Sequence, residues 1–163
     1  MNILKKMVTI IDKKATIKNV LGEETFIFTW NNPSTEENLK AFENRNACSL
    51  PKELREFLLT SNGATLFKSE YEDDGYKLLS IEDIEKITQD MKNDGYDIPD
   101  NCYCFLQCLF SDDVLLLDLN KDKNYILDGD VGYPSDEWEY ISSDINTFFI
   151  RLCQCNGSMF WRW

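Results

Sequence analysis

The chain has 163 residues, 43% hydrophobic and 28% charged, with 13% aromatic, which suits one folded domain and excludes a disordered chain. Its formal net charge is −12 and it contains no histidine, so Ser-His-Asp and Cys-His catalytic sites and histidine-ligated zinc are excluded, leaving carboxylate acid/base chemistry as the enzymatic route. No basic stripe interleaved with aromatics is present, which argues against direct binding of nucleic acid.

Ile3, Leu4, Met7, Ile10 and Ile11 follow a 3.6-residue period with lysines opposite, which predicts a first helix over 3–14 packed on the domain. The apolar part is too short and too broken by lysine for a signal or membrane-spanning segment, so the expected location is the cytoplasm, with reduced thiols and no membrane partner. Residues 25–30 read as a strand, or an extended arm, leading into Asn31-Asn32-Pro33. Ser34 stands three residues before Glu37, a capping-box spacing, and Leu39 and Phe42 form the apolar stripe of a helix over about 35–46.

The stretch 50–67, LPKELREFLLTSNGATLF, is the most structured part of the pattern. Pro51 is predicted in the first turn of a helix, where its missing N–H costs nothing. Leu54, Phe57 and Leu58 form the buried stripe, Asn62-Gly63 is expected to stop the helix, and 64–67 to open a strand. Tyr71 to Tyr76 is an acidic turn, 76–79 a strand, and Ser80 with Asp83 the start of a helix carrying Ile81, Ile84, Ile87 and Met91, ended by Asn93-Asp94-Gly95. Residues 102–119 read as two strands around Ser111-Asp112-Asp113. The second holds the continuous apolar run 114–117 and should be central and covered on both faces. Strands are predicted at 125–127 and 138–141. Ser143 or Asp144 caps a closing helix with Ile145, Phe148, Phe149 and Leu152 inward. The tail 157–163 carries Phe160, Trp161 and Trp163, which should fold back on the domain or bind a partner.

Several motifs are set aside. Cys102, Cys104 and Cys108 share one strand parity and so should face one side. Their C-x-C-x3-C spacing is not that of a zinc site, and small buried hydrophobes are expected instead of a metal centre. Asp118-x-Asn120-x-Asp122 begins like a calcium loop, but Lys123 replaces the required glycine and Gly129 the bidentate glutamate, so a hairpin turn is expected. Asp112-Asp113 and Asp128-Gly129-Asp130 are carboxylate pairs of the kind common in loops. No Walker loop or G-x-S-x-G is present. The order of elements predicts an α+β domain with a mostly antiparallel sheet.

Trp30 before Pro33, the capped helix through Glu43, then Leu50-Pro51 with Leu54, Phe57, Leu58, Asn62 and Gly63, the Ser80-led helix, Pro99, and the Ile141-x-x-Asp144-x-x-x-Phe148 closing pattern together resemble the SUKH superfamily, the Smi/Knr family. The similarity spans about residues 25–155 of a single 1–163 domain, and it departs from the family's glycine-rich turn at Phe110-Ser111-Asp112-Asp113. The resemblance implies an α+β fold whose antiparallel sheet carries helices packed on one side, with no catalytic residues, cofactor or metal. Trp30, Leu50, Pro51, Phe57, Asn62 and Gly63 then form its structural motif. It implies an immunity protein that binds a cognate toxin, often a nuclease, acting as a monomer or weak homodimer; the alternative is a regulatory interaction module with endogenous partners. Under the first expectation an acidic face meets the toxin's basic groove. Its candidates are Glu70, Glu72, Asp73, Asp74, Asp112, Asp113, Asp128, Asp130, Asp136 and Glu137, all on predicted turns.

Overall fold

The computed structural model describes residues 14–19, 22–72 and 74–163. The helix expected over 3–14 lies outside the described residues except for Lys14, which opens a strand. The architecture is α+β: one antiparallel sheet of eight described strands, whose spatial order follows the chain, with helices packed on it. The strands are β1 (Lys14–Asn19), β2 (Gly22–Trp30), β3 (Ala64–Ser69), β4 (Tyr76–Leu78), β5 (Cys102–Cys108), β6 (Val114–Asp118), β7 (Ile126–Gly129) and β8 (Tyr140–Ile141). The helices are α1 (Glu36–Asn46), α2 (Lys52–Leu58), α3 (Ile81–Asn93) and α4 (Ile145–Gln154).

Every strand pairs antiparallel with its sequence neighbour, so alternate connections lie at opposite ends of the sheet. One end carries the insertions holding α1 and α2 and then α3, with the β6–β7 turn. The other carries the β3–β4, β5–β6 and β7–β8 turns. β6 is buried along its whole length, as its unbroken apolar run requires.

The local signals act with small shifts in position. Thr35 caps α1, its side chain accepting from Asn38 N at 3.1 Å, while the expected cap, Ser34, is buried one residue earlier. Pro51 stands at the N-cap of α2 with φ −52° and ψ 136°, so helical geometry starts only at Lys52. Leu54, Phe57 and Leu58 are fully buried. Helix α2 ends at Leu58, before Asn62-Gly63, because Thr60 N and Ser61 N both turn back onto Phe57 O at 2.7 and 2.8 Å.

Asn62 and Gly63 instead join this segment to α3. Asn62 Oδ1 accepts from Ile81 N at 2.9 Å, and its Nδ2 donates to Glu82 at 2.7 Å. Gly63 has φ +93°, and a Cβ there would lie 2.9 Å from Leu78 O and 3.0 Å from Ser80 N, so neither the backbone angle nor the space admits a side chain. Ser80 caps α3 as predicted, accepting from Asp83 N at 3.1 Å. The rest of the family motif is packing. Trp30 stands 6.5 Å from the Phe57 ring, Leu50 is buried, and the Leu50 N–H donates to Glu43 at 3.0 Å. Glu43 also binds Arg55 at 2.8 Å, and Arg55 reaches Glu36 as well.

The pairing of β5 with β6 shifts between Cys104 and Leu106, a bulge that turns Cys108 to the opposite face from Cys102 and Cys104. The shared parity expected of the three thiols is therefore broken, although all three are buried. Thr88 from α3 accepts from Cys104 N at 2.9 Å at this irregular point of the ladder. Asp144 caps α4, with Ile145, Phe148, Phe149 and Leu152 fully buried.

Candidate functional site

The nine described acidic candidates come from connections at one end of the sheet. Glu70, Glu72 and Asp74 stand in the β3–β4 turn, Asp112 and Asp113 in the β5–β6 turn, and Asp128, Asp130, Asp136 and Glu137 at the end of β7 and in the connection to β8. Asp73 lies outside the described residues. This gathering follows from the strand order, since turns after odd-numbered strands share an end.

Their surroundings differ. Glu70 pairs with Lys14, and Asp74 Oδ1 accepts from Ser69 N, closing the turn on itself. Asp113 and Asp128 converge on Arg162 from the C-terminal tail, at 2.8 Å and 2.7 Å, with Asp130 at 3.7 Å. Asp130 also accepts from Gly132 N at 3.1 Å. Glu72, Asp112, Asp136 and Glu137 are exposed, and their side chains make no hydrogen bond or ion pair among the described residues.

The tail arranges this end, and its aromatic residues account for how it folds back. After α4, Gly157 adopts φ +83° and its carbonyl accepts from Tyr76 OH at 2.6 Å. Trp161 packs 6.0 Å from Tyr76 and 5.2 Å from Phe148, and Phe160 5.4 Å from Phe148. The short 3-10 turn Phe160–Arg162 then delivers Arg162 to the carboxylates. The tail so ties the β3–β4, β5–β6 and β7–β8 turns together. Trp163 beyond it is 84% exposed.

Between the β7–β8 connection and the tail opens a cleft of about 550 Å³. Asp130, Tyr133, Glu137, Glu139 and Tyr140 line one wall, and Arg151, Phe160, Trp161 and Arg162 the other. Trp138 anchors the first wall, its indole N–H donating to Asp130 O at 2.8 Å. Tyr140 donates to the buried Asp118 at 2.8 Å, and burial together with that carboxylate pushes its phenol up to about 12. Asp118 in turn accepts from Asn120 N at 3.0 Å, so the residues that open like a calcium loop build the β6–β7 turn. Among the described residues no group of three or more metal-ligating side chains is gathered, and no helix is long and apolar enough to cross a membrane. The hub, Arg162, and the cleft aromatics Tyr133 and Tyr140 are absent from the sequence-based candidates. The tail's aromatic composition is the signal that pointed toward this end.

The model of the SMI1/KNR4 family (SUKH-1) matches residues 33–151, more than half of the chain. The chain belongs to this family. The match takes in α1 to α3, β3 to β8 and most of α4, and stops before the tail. Two relatives from Bacillus subtilis (strain 168) extend the similarity. The uncharacterized protein YobM is 27% identical over 95% of this chain and 86% of its own length. The uncharacterized protein YnaB is 27% identical over 85% of this chain and 89% of its own. Membership of this SUKH family supports an immunity-like or related function.

Proposed function

We propose that this SUKH-family chain is an immunity protein. It binds one protein toxin in the cytoplasm of the producing cell and blocks it by stoichiometric occlusion, without catalysis. The observation that carries this is the gathering of three acidic turns at one end of the sheet, on a chain of net charge −12. Such an end complements a basic, phosphate-holding surface, which makes a nuclease the favoured toxin class. Opposite charge speeds encounter, and exposed aromatics supply contacts that persist.

Co-expression tests this. Toxin domains encoded beside the gene are expressed with and without the chain. Growth arrest lifted by the chain, with a one-to-one complex on gel filtration, is the expected result. Failure to protect against any neighbouring toxin, combined with a fitness loss on deletion when no toxin is present, overturns it in favour of a regulatory partner.

A further inference from the structure

We propose that the partner docks in the cleft between the β7–β8 connection and the C-terminal tail, entering with a segment that bears lysine or arginine. This rests on the partner-binding function above and gives it a location.

Charge selects the cleft among the acidic turns. Glu70, Asp74, Asp113 and Asp128 are already held by Lys14, a backbone amide and Arg162. Glu137 and Glu139 at the cleft are exposed, with no ion pair among the described residues. On the facing wall Arg162 is held by carboxylates and Arg151 lies 6.0 Å from the Phe160 ring centre. Glu137 and Glu139 outnumber the one remaining cation, Arg151, so the charge left over at the cleft mouth is negative, and an incoming cation complements it.

Aromatic exposure selects the same place. Tyr133 is 59% and Tyr140 42% exposed, and tyrosines that offer an apolar ring and a polar tip are favoured interface anchors. The rings here already receive cations, since Lys121 Nζ stands 3.4 Å from the Tyr140 ring centre and Arg151 is placed over Phe160. With those faces taken, the exposed Tyr133 ring is the one that an incoming guanidinium or ammonium meets.

The two walls also differ in origin. The family match covers the Tyr133–Tyr140 wall but ends at residue 151, so Phe160, Trp161 and Arg162 lie outside it. A wall within the family match facing a wall that is mostly outside it is a place where partner choice can change without altering the sheet.

The test uses the full chain and a hexa-arginine peptide, followed by amide NMR at near-physiological salt. Shifts concentrated at residues 130–142 and 158–163 are expected. Glu137→Lys with Glu139→Lys should weaken binding by about tenfold or more, and Glu70→Lys with Glu72→Lys by less than about twofold. Tyr133→Ser, which leaves the net charge unchanged, should also weaken it. Shifts at 70–74 or spread evenly, or equal losses from both charge reversals, overturn the proposal. With a toxin that the wild-type chain neutralises, the cleft variants should lose protection while keeping the wild-type thermal midpoint. Full protection by those variants overturns the cleft and leaves the immunity function standing. No protection by the wild-type chain overturns that function, and the peptide map alone then decides the cleft.

Discussion

Arg162 grips both carboxylate oxygens of Asp128, Nε to Oδ2 at 2.7 Å and Nη2 to Oδ1 at 2.8 Å, across 34 residues of chain. A planar guanidinium on a carboxylate in this two-bonded form is the stronger class of ion pair. Here Asp128 is only 13% exposed in its side chain and Arg162 27%, so water screens it less than an ordinary surface pair. Arg162→Ala leaves Asp113 and Asp128 half-buried without their cation and should cost about 1–3 kcal/mol in urea unfolding. Arg162→Lys should recover a minor part, since lysine cannot make the fork. Full recovery by lysine would mean that charge alone holds the tail.

Gly157→Ala should release the tail from the other side. The residue sits at φ +83°, and an added Cβ would lie 2.8 Å from Cβ and Cγ of Phe67. Phe67 is itself at φ +52°, which leaves it little room to move. A left-handed alanine costs about 1–2 kcal/mol before any clash, so a loss of about 2 kcal/mol or more is expected. A stability within about 0.5 kcal/mol of wild type would show that the tail is not seated on Phe67.

Asn62→Ala should cost about 1–2 kcal/mol, the usual range for a lost helix cap, and should speed hydrogen exchange at the Ile81 amide. Asn62→Asp keeps an acceptor for Ile81 N but sets a second carboxylate where Nδ2 met Glu82, so it should recover only part of the loss. Unchanged exchange at Ile81 in the alanine variant would contradict the cap.

Stability should fall in alkali. Burial pushes the Cys102, Cys104 and Cys108 thiols from 9.0 up to about 12, and burial likewise pushes Tyr125 up to about 12. A raised acid keeps its proton in the folded state while the unfolded chain loses it. The stability is thus fully present below the free-thiol value and is lost as pH rises from about 9 toward 12. Each unmatched proton contributes up to about 1.4 kcal/mol per pH unit. Urea midpoints should be level near neutral pH and decline above pH 9, and Cys104→Ala should make the decline shallower. A level profile to pH 10.5 would show that the thiols are not shielded.

What the pattern of residues reveals depends on range. The stripe of Leu54, Phe57 and Leu58, the Ser80 and Asp144 caps and the apolar run of β6 are local, and they were legible. The end of α2 was not, because Asn62-Gly63 has the look of a helix stop and serves instead as a bond to α3 and a close approach to β4. The bulge in β5 leaves no trace in the alternation of Cys102, Cys104 and Cys108, since it is defined only by the partner strand. The acid-rich turns were visible one by one, whereas their common end is a property of strand order. Arg162 gave no signal, because its carboxylates lie 34 and 49 residues away.

Strand order also bears on how fast the chain reaches this state. Each strand needs only the one just before it, and the β5–β6 and β6–β7 pairings close short loops, so from β5 onward the sheet can zip forward with little entropy lost, whereas the β2–β3 and β4–β5 pairings first close the connections that hold the helices. The bond from Tyr76 to Gly157 spans 81 residues and can close only after most of the sheet exists. Tail contacts should therefore be weak in the folding transition state. Arg162→Ala and Gly157→Ala should speed unfolding and leave the refolding rate almost unchanged, so the tail acts as a brake on opening.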